Sequence, residues 1–386
     1  MLNAFFLAFA YLRYHRITTA SLVLAISLII AAPAATRLVL SEAEKSLGAR
    51  AASTPLVIGA RGSSLDLALS ALYFQGTVAT PVTQAAVDEV WDSGLGIAIP
   101  VHTGFAASSR PVVGTTLDYF DFRSLRPVQG RLFARIGEAV VGSEVAAGLN
   151  LSVGDRLVTD TSNLFDLAGA YPLEMTVSGI LEPGGTPDDG AIFVDMKTVW
   201  IIAGIGHGHE DPGKSALASG IADPAQRIYQ SITPENVDSF HFHQNSASLP
   251  VSAVLVSPHD ARSSTILQGR YLEADNQLHA IVPATLIDRL LSTLFRIGRL
   301  LDLAIMVVGS AAVVAIAFAV GLATQLRRQE MLTFFRLGAH RGAIVQTVMA
   351  QFALIFLAGA GLAATFLVLI SWFLKGVPFA AVAMTG

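Results

Sequence analysis

The sequence predicts a membrane α-helical protein that carries a large α+β domain between its first and second membrane spans. Charged residues make up only 14% of the 386 residues and hydrophobic residues 53%, whereas about 25% of a soluble globular chain is charged. The apolar residues are concentrated in three runs, each long enough to cross a bilayer. The stretch at 40–299, between the first two runs, has the composition of an ordinary soluble domain. These three observations together define the predicted fold class.

The composition also excludes several classes of protein. The chain has no cysteine and a formal net charge of −4, with a pI near 6.1. The high apolar content argues against intrinsic disorder, and the lack of cysteine excludes a disulfide-bonded scaffold. Because there is no basic surface field, nucleic acid is not expected as a partner.

We predict transmembrane spans at 17–39, 300–325 and 344–374, since a helix needs about 20 mainly apolar residues to cross a bilayer. The small residues at 31–35 (Ala-Ala-Pro-Ala-Ala) also match a signal-peptidase site. A cleaved signal peptide is therefore the alternative interpretation of the first run. The long aromatic segment that precedes this run favours a membrane span instead.

The positions of the basic residues predict the orientation of the spans, because Lys and Arg close to a span are retained on the cytoplasmic side. They place an amphipathic surface helix at 1–16 and a loop at 326–343 in the cytoplasm. The domain at 40–299 and a tail at 375–386 are then outside. The basic residues that carry this assignment are Arg13, Arg16, Arg327, Arg328, Arg336 and Arg341.

Local patterns within the external stretch mix both kinds of secondary structure, which predicts α+β layers. Alternating or continuous apolar runs indicate strands, and apolar residues with a spacing of three to four indicate helices. The predicted strands lie at 55–60, 96–101, 111–115, 138–143 and 173–181, and the predicted helices at 65–74, 85–91 and 144–149.

Several strings in this stretch follow one another in a recognisable order. They are VGTTLDYF at 113–120, GRLF at 130–133, AVVGSEVA at 139–146, VSGIL at 177–181 and IFVD at 192–195. In this order and spacing the chain resembles the periplasmic core domain of MacB-like and Lol-type ABC permeases. The region at 203–250 is not covered by the resemblance and is interpreted as a variable, histidine-containing loop region.

The last third of the chain carries an independent resemblance. The string RRQEMLTFFRLGAHRGAI at 327–344 is similar to the intracellular loop of the FtsX-type permease domain, and YLRYHRITT at 11–19 is similar to that family's entry into its first span. The resemblance implies that the loop is a coupling helix seated in a groove of a separate ATPase. The residues that would couple to the ATPase are Arg327, Arg328, Glu330, Phe334, Arg336, Gly338 and Ala339. The alternative is that these charges only anchor the loop at the membrane surface.

The family resemblance also implies the partners and the location. We expect a cytoplasmic ABC ATPase dimer, which holds ATP and Mg²⁺, and a permease homodimer or a heterodimer with a related permease. A periplasmic adaptor or an outer-membrane partner is a further expectation. The chain would lie in the bacterial inner membrane with its large domain in the periplasm. The family usually has a fourth span, so this sequence predicts either a three-span variant or a truncated chain.

No motif predicts an enzyme in this chain. Ser143 does not lie in a G-x-S-x-G elbow, and no paired carboxylates suggest acid–base catalysis. The single Asp and Glu residues that recur along the external domain are interpreted as turn and surface residues. We therefore predict a permease subunit without catalytic residues.

One string matches the sequence pattern of a nucleotide-binding site but is not expected to have the structural context of one. The segment from Gly208 to Ser215, GHEDPGKS, matches the pattern of a phosphate loop. A genuine phosphate loop follows a buried strand, opens a helix and meets cytoplasmic nucleotide, and this external segment is expected to meet none of these conditions. We therefore interpret the match as a decoy.

Four histidines are concentrated in the external domain, and they form a candidate zinc site. Two i,i+2 pairs could supply the imidazole nitrogens that zinc prefers, and without thiolates such a site would exchange its metal. The other interpretation is a solvated loop that tolerates histidine. The four residues are His207, His209, His241 and His243.

Two other functions remain open at this point. The chain could be a membrane-anchored sensor or regulator that binds a periplasmic ligand such as zinc, or an FtsX-like activator of a periplasmic hydrolase. In the permease function we expect Gly359, Gly361 and the neighbouring alanines to let the third span pack closely as it moves.

Overall fold

The structure, a computed structural model, describes residues 2–76, 80–160, 172–207, 230–232, 236–272, 277–326 and 341–376. The chain divides into two compact units. Unit 1 consists of the described residues within 1–45 and 290–377, and unit 2 of those within 46–289.

The helices are numbered in chain order, and several continue well beyond the apolar segments that predict them. They are α1 Leu2–Tyr14, α2 Arg16–Ala52, α3 Ser64–Tyr73, α4 Gln84–Ser93, α5 Asp118–Arg123, α6 Ser143–Leu149, α7 Met196–Ile202, α8 Ala261–Arg270, α9 Pro283–Leu326 and α10 Arg341–Gly376.

The strands all lie between residues 56 and 281. They are β1 Leu56–Ala60, β2 Val82–Thr83, β3 Gly96–Ala107, β4 Arg110–Thr115, β5 Pro127–Gly130, β6 Glu138–Val141, β7 Arg156–Val158, β8 Leu173–Leu181, β9 Ile192–Asp195, β10 Gly206–His207, β11 Gln230–Ser231, β12 His241–Phe242, β13 Pro250–Val251, β14 Ala253–Pro258 and β15 Leu278–Ile281.

Unit 1 is built from long apolar helices. Among the described residues, α2 and the segment Val345–Phe373 of α10 are long and apolar enough to cross a membrane, judged by length and composition. Helix α9 is continuous through 300–325, where the second span is predicted. Helix α1 occupies most of the segment predicted as a surface helix, and its Phe6 and Phe9 are exposed.

One ion pair joins two of these helices at residues that lie inside the predicted spans. Nη2 of Arg37 on α2 donates a hydrogen bond of 2.8 Å to Oδ2 of Asp302 on α9, and Nε donates a second of 3.1 Å to the same oxygen. Charged side chains within a span are costly unless they pair with each other. This pair therefore accounts for the single arginine within the first predicted span.

Gly359 on α10 allows α2 to approach closely, as the sequence predicts, whereas Gly361 does not. A Cβ atom at Gly359 would lie 2.7 Å from Cγ2 of Ile26 and 3.2 Å from the carbonyl oxygen of Val23. A Cβ atom at Gly361 would have no neighbour within 4 Å among the residues that the structure describes. Gly359 therefore packs against α2 as expected, whereas the helix turns Gly361 away from α2, and the expectation for Gly361 stays a prediction.

These two glycines give a matched pair of variants. We expect Gly359→Leu to destabilise unit 1 by about 1–3 kcal/mol, since extra carbon atoms must fit into an occupied contact. Gly361→Leu, two residues further along the same helix, is expected to change stability little. Thermal unfolding of the full chain in detergent would measure both, and equal effects of the two variants would contradict the packing.

Unit 2 is an α+β domain, so the predicted class is confirmed. Its main sheet has the strand order β11-β8-β6-β9-β4-β3-β14-β1-β15, and β5 and β7 also pair with β8. Strands β3 and β4 form an antiparallel pair, whereas β4 and β9 are parallel. Each strand and helix predicted between 55 and 181 is present, and β3 extends furthest beyond its predicted end. No element is predicted between 250 and 282, although β13, β14, α8 and β15 lie there.

Two hydrophobic cores lie against this sheet. One packs β6, β8 and β9 against helices α6 and α7, and the other packs β1 and β14 against α4 and α8. A cluster of aromatic rings is also buried in the unit: the ring of Phe193 on β9 lies 5.4 Å from that of Tyr119 and 5.6 Å from that of Phe120. Because Tyr119 and Phe120 are almost fully buried, this cluster fixes the position of α5 and of the Tyr119 hydroxyl.

Candidate functional site

The described residues include only some of the side chains that the sequence singles out. The loop residues predicted to couple to an ATPase lie outside the described residues, and so does His209. His207 is described as part of β10. His241 and His243 are described together with their side chains.

The string that resembles a phosphate loop also lies outside the described residues. This holds for the whole segment from Gly208 to Ser215. The strand that ends just before it, β10, consists of two residues only and pairs with β12. The interpretation of the string as a decoy therefore stays a prediction.

The structure brings His241 and His243 together. Their Nε2 atoms lie 3.2 Å apart. Nδ1 of His241 lies 3.0 Å from the carbonyl oxygen of Ser239. Because a carbonyl only accepts, a hydrogen bond there requires the proton on Nδ1, and the lone pair of the neutral ring is then on Nε2. The antiparallel pairing of β10 with β12 places His207 opposite His241 in the backbone. Within the described residues no group of three or more His, Cys, Asp or Glu side chains gathers around one point.

A second cluster in unit 2 is more completely built, and the sequence does not predict it. Arg50, in the last turn of α2, is buried and forms an ion pair with the buried carboxylate of Asp188. Its Nη2 lies 2.8 Å from Oδ1 of Asp188 and 2.8 Å from the Tyr119 hydroxyl, and its Nε donates to the carbonyl of Leu72 at 2.9 Å. The Tyr119 hydroxyl donates to Asp188 Oδ1 at 2.7 Å. Every nitrogen of the Arg50 side chain therefore has an acceptor.

The loop that carries Asp188 is held by the next residue. The Asp189 carboxylate accepts hydrogen bonds from the backbone N–H groups of Gly184, Gly185 and Thr186, at 2.6–3.3 Å. With Thr186 it forms a capping box at a short 3₁₀ turn, Pro187–Gly190. The two adjacent carboxylates thus have different structural roles: Asp189 stabilises the conformation of the loop, and Asp188 forms the ion pair with Arg50.

The charges within this cluster keep Asp188 ionised. Burial by itself would raise the pKa of Asp188, but the Arg50 charge and the hydrogen bonds from Arg50 and Tyr119 outweigh it and hold the pKa below its usual value. Burial raises the pKa of the Tyr119 hydroxyl, and the nearby Arg50 charge offsets only part of this effect. The hydroxyl therefore remains a hydrogen-bond donor to the carboxylate.

A second guanidinium, that of Arg123 at the end of α5, lies beside this ion pair. It donates to the Ser53 hydroxyl at 2.9 Å and to the Thr54 hydroxyl at 2.8 Å, and it lies 4.7 Å from the centre of the Phe122 ring. Among the described residues it forms no ion pair, and its Nε is buried without a hydrogen-bond partner. Burial, together with the repulsion from Arg50, lowers the pKa of Arg123.

Arg50 and Arg123 both face a cavity of about 870 Å³ within unit 2. Its walls come from the C-terminal end of α2, from α3, from the end of α5 and from the loop at 182–188. The apolar part of the wall is supplied by Leu47, Leu69, Tyr73, Phe122 and Leu125. The cavity is thus large enough for a small organic molecule.

Similarity to known proteins identifies the domain that contains this cluster. A family model described as the MacB-like periplasmic core domain matches residues 17–212, which is more than half of the chain. The chain belongs to this MacB-like family. The resemblance to MacB-like and FtsX-like ABC permeases that the motifs indicate is therefore confirmed.

Three solved structures show a distant similarity to this MacB-like chain. The periplasmic region of MacB from Actinobacillus actinomycetemcomitans is 10% identical over 62% of this chain and 94% of its own, with a TM-score of 0.36. The extracellular domain of the noncanonic ABC-type transporter YknZ from Gram-positive bacteria is 10% identical over 58% of this chain and 98% of its own, with a TM-score of 0.32. A domain of a putative permease from Porphyromonas gingivalis is 12% identical, with coverages of 59% and 89% and a TM-score of 0.30. No curated protein matches the chain in sequence.

The motifs of the MacB-like domain surround the buried cluster. Tyr119 lies in the motif at 113–120, and Gly142 lies in the motif at 139–146. A Cβ atom at Gly142 would overlap the carbonyl oxygens of Asp188 and Asp189, so only glycine lets β6 approach the loop this closely. The partners of Tyr119, Arg50 and Asp188, lie outside the quoted strings. The interpretation of the acidic residues as turn and surface residues is wrong for Asp188, because its side chain is buried.

Proposed function

We propose that this MacB-like chain is the permease subunit of an ABC transporter whose ATPase is a separate cytoplasmic protein. ATP-driven closure of the ATPase dimer would move the loop at 326–343, and the external domain would respond by changing shape and acting on a substrate in the periplasm. The observation that carries the proposal is the match of the MacB-like family to 17–212. The candidate spans in α2 and α10 are consistent with a location in the inner membrane.

The buried cluster suggests how a movement could reach the external domain. The last turns of α2 belong to unit 2, and there Arg50 is bonded to Asp188 and Tyr119. Asp188 lies in the loop between β8 and β9, two neighbours of β6 in the main sheet. A shift of this helix end would therefore be passed directly to the sheet. In this proposal the cluster transmits motion and has no catalytic role.

Charge exchange in the cytoplasmic loop tests the proposal. We expect the double variant Glu330→Arg with Arg336→Glu to lose most of its stimulation of ATP hydrolysis, because the charges would no longer match the groove of the ATPase. The measurement is ATPase activity of the reconstituted complex, formed with the ABC ATPase whose gene neighbours that of the permease.

A matched control exchanges an exposed pair elsewhere in the chain. Glu42 and Lys45 lie three residues apart on α2, with 3.9 Å between their charged atoms, and Glu42→Lys with Lys45→Glu should leave the stimulation unchanged. If the loop variant assembles normally and still stimulates like the wild type, the coupling role is wrong. Failure of the wild-type chain to co-purify with any ATPase would instead favour the sensor hypothesis.

The histidine pair supports a second candidate function, in which the external domain binds zinc and responds to it. Two ligands at 2.0–2.1 Å from a tetrahedral zinc ion are about 3.3 Å apart, and the Nε2 atoms of His241 and His243 are separated by 3.2 Å. Zinc-binding imidazoles are usually oriented by a hydrogen bond from the other ring nitrogen to a carboxylate or a carbonyl. The contact between His241 Nδ1 and the Ser239 carbonyl is of this kind. Further ligands would have to come from the same region, where His207 is paired with His241 in the backbone.

Zinc titration of the full chain tests this candidate. We expect the wild type to bind zinc at micromolar concentration and the variant His241→Gln with His243→Gln to bind at least tenfold more weakly. His259→Gln, which removes an exposed histidine outside this region, is the control. Binding that is the same in the wild type and the double variant would end the zinc hypothesis.

A further inference from the structure

The charges of the side chains that line the cavity in unit 2 do not sum to zero. Five charged side chains line it: Arg50, Arg123, Arg126, Asp188 and Glu182. Arg50 and Asp188 neutralise each other in a buried ion pair. Arg126 and Glu182 are exposed to solvent, which screens their charges. One positive charge, that of Arg123, is left facing the cavity.

Arg123 is held in place but lacks an anionic partner of its own among the described residues. Its two terminal nitrogens are directed at the neutral hydroxyls of Ser53 and Thr54. Its Nε is buried and donates to no acceptor in the surrounding described residues. Arg123 is only partly exposed, so an anionic partner would add a charge-assisted hydrogen bond that water screens incompletely, and its planar arrangement of donors fits a carboxylate or a phosphate. An anionic ligand would supply the acceptor that the surrounding described residues do not give to Nε.

The rest of the wall indicates what carries that anion. Leu47, Leu69 and Phe122 are among the apolar and aromatic side chains that line the cavity. Pockets of about 300–1,000 Å³ with mainly apolar walls and a few placed polar groups bind small organic molecules, and this cavity measures about 870 Å³. Inorganic phosphate alone would leave the apolar wall in contact with water.

We propose that the cavity binds a small organic anion, with its carboxylate or phosphate on the Arg123 guanidinium and its apolar body against Leu69 and Phe122. Arg50 and Asp188 form the back of the site and remain paired with each other when the ligand binds. This inference does not rest on the proposed transport function, because binding is measured without an ATPase or a periplasmic partner.

Binding of three related probes to the full chain in zwitterionic nanodiscs tests the proposal. The probes are 2-naphthoate, 2-naphthyl phosphate and the uncharged 2-naphthamide, and calorimetry measures their affinities. We expect at least one of the anions to bind at least tenfold more tightly than the amide, and the tighter of the two anions identifies the preferred acidic group. Arg123→Met should weaken the anions at least tenfold and remove their advantage over the amide. Arg135→Met, which changes an exposed arginine of unit 2 outside the cavity, should have no effect.

A second variant keeps the proposal testable if Arg123→Met does not fold. Leu69→Trp fills the cavity while leaving Arg123 unchanged, so that all three probes should bind at least tenfold more weakly. The proposal is wrong if the amide binds as tightly as both anions, if no probe binds at millimolar concentration, or if a folded Arg123→Met chain keeps wild-type affinity for the anions.

Discussion

Replacing Asp188 by alanine is expected to lower the free energy of unfolding of unit 2 by about 3–5 kcal/mol, because it leaves a buried guanidinium without its carboxylate. Arg50 would keep only the Leu72 carbonyl and the Tyr119 hydroxyl as acceptors. Tyr119 would in turn lose the carboxylate to which it donates. The effect is large because both members of the ion pair are buried, with 5% and 1% of their side-chain surface exposed.

Urea unfolding in detergent, followed by tryptophan fluorescence, would measure this loss. Trp91 and Trp200 lie in unit 2 and Trp372 in unit 1, so in a Trp372→Phe background the fluorescence reports on unit 2 alone.

Two further variants test whether the loss of stability comes from leaving a buried charge unpaired. Arg126→Met breaks an exposed pair with Asp121 at 3.7 Å and should cost less than about 1 kcal/mol. The double variant Arg50→Met with Asp188→Leu should recover much of the stability, because no charge is left unpaired. A loss in Asp188→Ala no larger than that in Arg126→Met would contradict the role assigned to the buried pair.

The second large effect expected is a loss of stability in mild acid that depends on His102. This side chain on β3 is buried, with 8% of its surface exposed, and its ring is stacked on Phe105. Burial lowers the pKa of His102 to about 4, although a hydrogen bond with the backbone of Pro250 offsets part of the shift. In an unfolded chain a histidine has a pKa of about 6.5. The unfolded state therefore binds more protons between these two values, so stability falls as the pH is lowered through this range.

The contribution of His102 is complete above a pH of about 6.5 and is lost progressively toward a pH of about 4, for a total of about 3 kcal/mol. Urea unfolding at several pH values across this range would measure it in wild type and in His102→Phe, which keeps a ring next to Phe105. We expect the variant to lose distinctly less stability on acidification. His259→Asn, which removes an exposed histidine, should keep the wild-type slope. If His102→Phe and the wild type share the same pH dependence, His102 is not the group that titrates.

Local patterns are sufficient to predict several elements of unit 2 between 55 and 181, and the reason is visible in particular residues. Strand β8 combines alternating and continuous apolar residues between Leu173 and Leu181, and it ends at a Pro-Gly-Gly break. Helix α3 begins where the Ser63 side chain accepts a hydrogen bond from the N–H of Asp66. Such signals are short-range, so the sequence displays them directly. The strand order is not predictable in this way, because it depends on pairings between distant segments such as β1 with β14.

The buried cluster is not predictable for the same reason. Arg50 and Asp188 are 138 residues apart in the chain, and each looks ordinary in its local context. An arginine at the end of a helix and an Asp-Asp pair after a proline are typical of a surface. One signal points to the loop: the Thr186-Pro-Asp-Asp sequence has the spacing of a capping box, with Asp189 at the third position. It identifies Asp189, but the partner of Asp188 becomes evident only in three dimensions.

The two adjacent carboxylates of the loop at 182–190 determine how unit 2 would carry mechanical load. Asp189 stiffens the loop from within, and Asp188 fastens it to the end of α2, so the helix end and the loop form one rigid body. A tensile force on this helix end would be delivered to the end of β8 and the start of β9 without loosening the loop. The same helix end continues into β1 after three residues, so the force would enter the main sheet at β1 as well as at β8 and β9, on both sides of β4.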